Sequence, residues 1–392
     1  MTAYFSRARR KAVRLLAISS VLWLAACGGA PIGGFDGPSI NTGRPVPVAL
    51  LVPAGSGQAG DEALARSLEN AARLAMGDLQ GVEIDLRVYR TGGDAQTAAT
   101  VAGEAVNGGA KIILGPVYAA AANAAGTAVR GRGVNVLSFS NNTDIAGGNV
   151  FVLGHTFENS AGRLVSYAVG QGRRNFVIAY GNDAAERKGR DAIAASVSRA
   201  GATVGGDVTF ELSQNGVVQA VEQVTSTVQA TGADALFMTS GTAGALPILS
   251  QLVSENGVDK EVTKFIGLQR WDIPPGALEL PGLQNGWFAL PSPALNAQFE
   301  SRYSAAYGEP PHPIAGLAYD GIAAIGALAS AGSADALTVT ALTQPSGFAG
   351  VSGIFRLKPD GTNERGLAIA TIIDKQVSVL DPAPRSFTGP GF

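Results

Sequence analysis

The feature of this sequence that most restricts its fold is an alternation of short apolar segments with longer segments of helical spacing, which begins at Val46. Residues 46–52 are typical of a buried strand, and residues 62–79 place Leu64, Leu68 and Ala72 on one helix face. The same alternation predicts strands at 82–89, 111–114 and 134–138 and helices at 94–106 and 118–130. This order predicts a parallel sheet with helices on both faces.

A second alternation of the same kind follows residue 149. It predicts helices at 158–169, 184–200, 216–229 and 243–253 and strands at 175–180, 203–210, 235–239 and 264–267. The last part of the chain has helices at 294–307, 314–331 and 336–343 and small strands at 353–357, 366–373 and 376–380. These last elements lack a sheet of their own, so we expect them to pack on the earlier units and the chain to cross between units more than once.

Composition and charge exclude several classes of protein. The chain is 46% hydrophobic and 15% charged, which is too apolar for a disordered protein. Residues 27–392 carry 24 basic and 31 acidic residues, so we expect no nucleic-acid partner. Cys27 is the only cysteine, and His155 and His312 are the only histidines, so we predict neither an internal disulfide nor a metal site.

One glycine pattern needs separate treatment. Gly55, Gly57 and Gly60 match the spacing of a dinucleotide-binding loop, but that loop needs an acidic residue near the end of the second strand, where Tyr89 and Arg90 stand. We therefore expect a tight turn whose amides can meet an anion, and no cofactor. The sequence has no Ser-x-x-Lys, Gly-x-Ser-x-Gly or His-Glu-x-x-His motif, so we predict that the protein is not an enzyme.

The N-terminus has the pattern of a secretion signal. Basic residues lie between Arg7 and Arg14, and an apolar run from 15 to 26, too short to span a membrane, ends in small residues. Residues 28–45 are rich in glycine and proline and lack hydrophobic periodicity, which is typical of a flexible tether. We therefore expect the folded part to lie outside the cytoplasm.

The end of this signal, Leu24-Ala25-Ala26-Cys27-Gly28, resembles the bacterial lipobox, in which the cysteine is lipidated and becomes the first mature residue. The resemblance implies a periplasmic protein with a lipid anchor on Cys27, and Gly28 implies sorting to the outer membrane. An ordinary secretion signal with an incidental cysteine is the alternative.

Four further stretches resemble type I periplasmic binding proteins. Residues 48–57 (VALLVPAGSG) are similar to the opening of that family, residues 109–116 (GAKIILGP) and 133–140 (GVNVLSFS) to its third and fourth strands, and residues 316–321 (GLAYDG) to a later helix. Within this fold the chain resembles both the leucine/isoleucine/valine-binding branch and the penicillin-binding protein activator lipoproteins. Residues 360–366 and 381–387 look more like the activators.

The resemblance and the periodicity together predict an α/β protein with two doubly wound parallel-sheet lobes joined by a multi-strand hinge. The predicted division is a signal peptide at 1–26, a lipidated cysteine and flexible tether at 27–45, lobe 1 at 46–154 plus 288–345, lobe 2 at 155–287 plus 346–382, and a tail at 383–392. Ligands of such sheets bind beyond the carboxyl ends of the strands. His155 is expected at a crossing between the lobes, as a hinge or cleft-wall residue.

The resemblance also implies where a ligand would bind. The amino-acid-binding branch holds the ligand's carboxylate with a serine and a threonine in two strand-end loops, and its ammonium with an acidic residue. Here Tyr118 and Ala119 stand where the serine is expected, and Gln269 stands near the place of the acid. The carboxylate clamp is therefore incomplete. The candidate cleft and ligand residues are Ser56, Tyr118, Ala119, Ser138, Ser140, Asn141, Asn142, Tyr180, Gln269 and Trp271. For Tyr118 and Trp271, packing in the core or in the cleft wall is the alternative to contact with a ligand.

Two functions follow from these observations. The first is a non-catalytic periplasmic regulator of the penicillin-binding protein activator type, whose partner would be a peptidoglycan synthase. The alternative is the solute-binding receptor of a branched-chain amino acid type ABC transporter, with a small amino-acid or peptide-like ligand. The incomplete clamp and the C-terminal stretches favour the first. Residues 186–190 (ERKGR) are expected to form a solvated helix face, with a partner contact as the alternative.

Overall fold

Two separate sheets organise the structure, a computed structural model in which residues 37–387 are described. The sheet of lobe 1 is entirely parallel, in the order β2-β1-β3-β4-β5. Its strands are β1 (Val46–Val52), β2 (Ile84–Arg90), β3 (Ile112–Leu114), β4 (Asn135–Ser138) and β5 (Val150–Val152). Apolar side chains on both faces of the strands require helices on both sides, as in other parallel sheets.

Those helices form two layers around the lobe 1 sheet. One face packs on α1 (Asp61–Asp78) and on the later helices α8 (Pro293–Tyr307), α9 (Gly316–Ser330) and α10 (Val339–Leu342). The other face packs on α2 (Ala95–Asn107) and α3 (Ala119–Val129), whose contact residues are mostly alanine. Small side chains allow these two helices to lie close to the sheet.

The sheet of lobe 2 is mixed, in the order β15-β14-β10-β9-β8-β6-β7. Five strands are parallel: β6 (Asn175–Gly181), β7 (Thr203–Phe210), β8 (Ala235–Met238), β9 (Lys264–Gly267) and β10 (Trp287–Leu290). The antiparallel strands β14 (Ala368–Ile373) and β15 (Gln376–Asp381) extend it at one edge. Helices α4 (Phe157–Gly170) and α5 (Ala184–Arg199) cover one face, and α6 (Gln214–Thr231) and α7 (Leu246–Glu255) cover the other.

A small antiparallel sheet accompanies the second half of the chain. It consists of β11 (Phe348–Gly350), β12 (Gly353–Leu357) and β13 (Asn363–Arg365). Phe348, Phe355 and Leu357 belong to the same core as α1 and α9, so this sheet belongs to lobe 1.

The fold class is as predicted, but the structure differs from the sequence expectation in several respects. Residues 288–290 form part of a central strand of lobe 2 and not the start of lobe 1, and residues 348–365 belong to lobe 1 and not to lobe 2. Strand β5 was not predicted, because three residues carry no readable periodicity. The lobe 2 sheet is mixed because the two C-terminal strands join it as an antiparallel hairpin.

The segment before β1 is not a free tether along its whole predicted length. Ile40 is 5% exposed and packs in the lobe 1 core, and its N–H donates to the Ala334 carbonyl at 2.9 Å. The expectation of flexibility is therefore wrong for residues around Ile40. The predicted signal peptide, Cys27 and residues 28–36 lie outside the described residues, as do residues 388–392 of the predicted tail.

Three chain crossings connect the lobes, and one arginine links two of them. They run from β5 to α4, from β10 to α8 and from β13 to β14. Arg365, on the third crossing, donates through Nε and Nη2 to the Leu153 carbonyl on the first, at 3.0 and 2.6 Å, and through Nη1 to Asp320 Oδ2 on α9 at 3.0 Å. Asp320 is fully buried, and its Oδ1 accepts the Val351 N–H at 2.8 Å.

Candidate functional site

The two lobes face each other with the carboxyl ends of their parallel strands. Lys188, in α5 of lobe 2, donates to Asn142 Oδ1 at 2.9 Å and pairs with Asp144, both in the loop after β4 of lobe 1. Thr143 Oγ1 donates to Glu158 Oε1, in α4, at 3.1 Å. The loops that follow the strands therefore form an inter-lobe cleft, the position at which such folds bind ligands.

A cavity of about 860 Å³ opens at the lobe 2 side of this cleft. Its lining comes from the loops after β6, β7, β8 and β9 and from the first turns of the helices that follow them: Asp183, Glu186, Leu212, Ser213, Gln214, Val217, Gly241, Thr242, Ala243, Gly244, Ala245, Ile248, Gln269, Arg270, Ile273 and Pro274. The volume is in the range of small-molecule sites.

Glu186 provides a fixed carboxylate in this cavity. Asp183 caps α5 by accepting the Glu186 N–H at 2.7 Å, which places Glu186 in the first turn beside the end of β6. Its carboxylate accepts the Gly181 N–H at 2.7 Å and the hydroxyls of Thr239 and Ser240 at 2.6 Å each. Among residues 37–387 no cation forms an ion pair with it. Its negative charge is therefore held by neutral donors alone.

Sequence reasoning missed Glu186, because residues 186–190 were interpreted as a solvated helix face. The signal that could have found it is the spacing Asp183-x-x-Glu186 directly after a predicted strand. An N-cap residue followed three positions later by glutamate turns that glutamate back toward the helix start, and here toward the end of the strand.

The cavity lining also carries a neutralised arginine and apolar side chains. Arg270 binds Asp272 through two hydrogen bonds, Nε to Oδ1 at 2.9 Å and Nη2 to Oδ2 at 2.5 Å. Gln269, a predicted site residue, lies in the lining and donates from Nε2 to the Thr239 carbonyl at 2.9 Å. The apolar surface consists of Leu212, Val217, Ile248, Ile273 and Pro274.

In lobe 1 the cleft surface is occupied by Tyr118. Its hydroxyl donates to Asp61 Oδ1 at 2.5 Å, and a Cβ placed on Gly93 would lie 3.1 Å from its ring and 3.6 Å from Ser56 Cβ. The hydrogen bond to Asp61, with burial and the charge of Asp61, raises the pKa of Tyr118 to about 12, so the phenol keeps its proton. Asp61 is 5% exposed, and its Oδ2 is buried without a hydrogen-bond partner in the described structure.

The predicted polar residues after β4 mostly hold the loops of lobe 1. Ser138 is fully buried and donates to the Pro116 carbonyl at 3.0 Å, and its Oγ accepts the Ser140 N–H at 3.1 Å. The Oγ of Ser140, itself 5% exposed, accepts the Asn142 N–H at 3.1 Å. Asn141 is exposed at the cleft, and Ala119, the first residue of α3, offers no hydrogen-bonding side chain.

Two predicted aromatic residues do not reach the cavity. Trp271 is fully buried in the lobe 2 core, stacked on Phe288 with ring centroids 5.9 Å apart, because the glycines at 267 and 286 leave room for its indole. Tyr180 packs on the α4–α5 side of the sheet and is not part of the lining. Trp271 therefore belongs to the lobe 2 core, and Tyr180 lies outside the cavity lining.

His155 lies on the first crossing, as expected. Burial, together with the charges of Arg365 and Arg270, lowers its pKa well below the ordinary value of 6.5, so the imidazole is neutral. Arg270 belongs to the cavity lining and Arg365 to the hinge. His155 thus stands where the cleft meets the hinge.

Other kinds of site find no support in residues 37–387. There, no group of three or more His, Cys, Asp or Glu side chains could hold a metal ion. In the same range no helix has the length and apolar character needed to cross a membrane.

Comparison with known proteins agrees with this architecture. The sequence profile of the family described as "Periplasmic binding protein" matches residues 45–376. A search of curated proteins returns no match. The profile and the structural comparisons offer no support for a relationship with penicillin-binding protein activators.

Several solved structures share the fold. A putative branched-chain amino acid ABC transporter protein from Rhodospirillum rubrum is similar with a TM-score of 0.73 and 18% identity, over 86% of this chain and 100% of that one. An ABC transporter substrate-binding protein from Desulfitobacterium hafniense, in complex with Leu, gives 0.63 and 18%, over 86% and 100%. A solute-binding protein from Rhodopseudomonas palustris, in complex with 3,4-dihydroxy benzoic acid, gives 0.57 and 17%, over 87% and 98%.

The profile match covers most of the chain, and two α/β lobes with a cleft at their strand ends are the architecture shared with these structures. The chain therefore belongs to the periplasmic binding protein family, whose members are solute-binding proteins of the periplasm.

Proposed function

We propose that this protein is the solute-binding receptor of an ABC importer, which captures a small molecule between its lobes. The observation that carries the proposal is the cavity of about 860 Å³ at the carboxyl ends of the lobe 2 strands. The lobes already meet through Lys188 and Asn142 beside it. The named functions of the similar structures support the same proposal.

The regulator hypothesis loses the residues that favoured it, because these have structural roles in this chain. Asp360 accepts the N–H and the hydroxyl of Thr362 within the turn between β12 and β13. Asp381 pairs with Arg163 of α4 at 2.7 Å. The first contact stabilises a turn of lobe 1 and the second holds β15 against α4 in lobe 2, and neither needs a partner protein.

The proposal can be tested by thermal unfolding of the full chain, purified in detergent, against amino acids, aromatic acids, amines and short peptides. A ligand that binds only the folded state at a hundredfold excess over its dissociation constant adds about 2.7 kcal/mol to the free energy of unfolding. We expect at least one solute to raise the midpoint. A panel that leaves the midpoint unchanged would contradict the receptor function.

A matched pair of variants assigns the binding to the cavity. Leu212 is 42% exposed at the cavity, and Leu380 is 40% exposed on the edge strand β15. Leu212→Trp should reduce the ligand-induced shift because the larger ring takes up part of the cavity, whereas Leu380→Trp should leave the shift unchanged.

We also propose that the protein is held at a membrane by a lipid on Cys27, in the outer membrane as Gly28 implies. The lipobox-like end of the signal supports this proposal. Radiolabelled palmitate should enter the wild-type protein in growing cells and should not enter Cys27→Ala. Equal labelling of the two, or none in the wild type, would contradict it.

A further inference from the structure

We infer that the cavity takes an organic ammonium ion with an apolar body, and that it does not require a carboxylate on the ligand. The inference rests on the proposed receptor function and narrows its ligand class. It follows from the charges of the cavity, from its apolar surface and from the state of the facing surface of lobe 1.

The charged side chains of the cavity lining that have no ion-pair partner in the described structure are carboxylates. Asp183 and Glu186 both line it, and no cation pairs with either of them in residues 37–387. The one arginine of the lining, Arg270, already has both oxygens of Asp272 as partners. A positively charged group on a ligand would therefore find two carboxylates, while a negatively charged group would find no unpaired cation among the residues of the lining.

The helix amino ends at the cavity are the main feature that would favour a negatively charged ligand. The amino ends of α5, α6 and α7 all reach the lining, and helix amino ends favour negative charge. Asp183 already caps α5, and the Ser213 hydroxyl already accepts the Gly216 N–H at the start of α6. Only α7 lacks a side-chain cap. One partial dipole charge is weaker than the two full charges of the carboxylates.

Lobe 1 offers no place for a ligand carboxylate at Tyr118. The Tyr118 hydroxyl already donates its hydrogen bond to Asp61, and the second oxygen of Asp61 is buried without a donor in the described structure. A carboxylate brought to this surface would meet another carboxylate. Ser138 and Ser140, which could have served as donors, are buried and hold the loops.

The apolar side of the cavity indicates the rest of the ligand. Leu212 and Ile273 are 42% and 41% exposed, unusually open for large aliphatic side chains, and Val217, Ile248 and Pro274 lie with them in the lining. An aliphatic or aromatic body would cover this surface and remove it from water, which stabilises the complex by the hydrophobic effect. The fitting ligand therefore has a cationic end and an apolar end.

Two sets of matched probes test the inference by isothermal titration calorimetry on the full chain in detergent. The aliphatic set is 3-methylbutylamine, leucine and 4-methylpentanoate, and the aromatic set is 2-phenylethylamine, phenylalanine and 3-phenylpropanoate. Each set keeps one body and presents an ammonium alone, both charges, or a carboxylate alone. We expect an amine to bind at least tenfold more tightly than its matched amino acid and acid.

Variants locate the charge that selects the ligand. Glu186→Gln should weaken amine binding at least tenfold, and Asp183→Asn, which keeps an N-cap side chain, about fivefold, as for an exposed ion pair. Asp259→Asn is the matched control, because Asp259 is exposed, accepts one backbone N–H from Glu261, and lies before β9 at the other end of the strands. It should not change the affinity.

Each other result overturns the inference. Tighter binding of an amino acid or of an acid would show that a ligand carboxylate governs recognition, and would leave the receptor function intact. Amine binding that is unchanged in both Glu186→Gln and Asp183→Asn would place the amine elsewhere. Binding of none of the six probes would reject this ligand class, while the receptor function would fail only if the wider thermal panel were also silent.

Discussion

The indole of Trp271 depends on two positions that carry no side chain. A Cβ on Gly267 would lie 2.0 Å from its Nε1, and a Cβ on Gly286 would lie 2.3 Å from its ring. The ring is fully buried, so it cannot move aside into solvent. These two glycines therefore decide whether the second-lobe core can close around the tryptophan.

We predict that Gly267→Ala lowers the free energy of unfolding by about 3 kcal/mol, because an added methyl group in a tightly packed core forces side chains and backbone to shift. Gly103→Ala is the control, since no atom lies within 4 Å of its added Cβ in α2, and it should stabilise the protein by about 0.5–1 kcal/mol. Urea denaturation at pH 7 measures both. Equal stability of the two variants would contradict the packing described for Trp271.

His155 gives the protein a pH dependence of stability. Its pKa in the folded state is far below the ordinary 6.5, so below pH 6.5 the unfolded chain takes up a proton that the folded protein does not. The stability that neutral His155 contributes is present above pH 6.5 and is lost as the pH falls toward the folded-state pKa.

We therefore expect the free energy of unfolding to fall with pH below 6.5 by up to about 1.4 kcal/mol per pH unit more in the wild type than in His155→Gln. Urea denaturation between pH 7.5 and pH 5 measures the free energy of unfolding of the wild type and of His155→Gln. Subtracting one curve from the other removes the contribution of the carboxyl groups, which both proteins share. His312→Gln is measured as a second variant, because burial also lowers the pKa of His312. Its free energy of unfolding should likewise depend less on pH than that of the wild type. Parallel curves for the wild type and His155→Gln would refute the assignment.

At the scale of elements, long periodic segments could be read from the sequence and short ones could not. Helix α1 was predicted within one residue at each end, because the apolar positions of eighteen residues fix its face. Strand β10 has only four residues and is followed by a proline, so its sequence is equally typical of a crossing between lobes. It is a strand because it pairs with β9 and β14. Pairing with distant strands leaves no local signal.

The candidate site was predictable only as a region. Strand ends could be located, and Gln269 does lie in the lining, but side-chain direction could not be inferred. Trp271, two positions after Gln269, is buried in the core. The hydroxyl of Ser138 donates to the Pro116 carbonyl within lobe 1. The Glu186 carboxylate is held by hydrogen bonds from Thr239 and Ser240, which lie more than fifty residues away in the sequence.

The segment around Ile40 acts as an element of lobe 1 although it has no regular structure. We predict that a chain beginning at residue 46 is less stable than one beginning at residue 37, and that Ile40→Ala in the full chain costs about 2 kcal/mol through the buried side chain it removes. Thermal unfolding of the two truncated chains and of the variant measures this. The segment is dispensable if the two truncated chains unfold at the same temperature.

At the scale of the whole molecule, a contact across the cleft joins the two lobes. Lys188 reaches two acceptors of the loop after β4, but its side chain is 43% exposed, and exposed ion pairs contribute at most about 1 kcal/mol. This contact is therefore strong enough to bias the closed arrangement and too weak to fix it.

We predict that Lys188→Ala weakens binding of the best ligand up to about fivefold and increases the radius of gyration in solution without ligand, since the closed arrangement loses a contact. Calorimetry and small-angle X-ray scattering measure the two effects. Arg199→Ala, at the far end of the same helix, is the control and should change neither. If both variants resemble the wild type, the contact does not influence closure.

The bonds made by Arg365 have a geometric consequence for any such motion. The guanidinium holds the Leu153 carbonyl, directly after β5, and the carboxylate of Asp320 in α9, and all three residues belong to lobe 1. The lobe 1 ends of the first and third crossings are therefore held in one body. A rotation of lobe 2 would have to be taken up by the short stretches of backbone that follow Leu153 and Arg365, and His155 lies in the first of them.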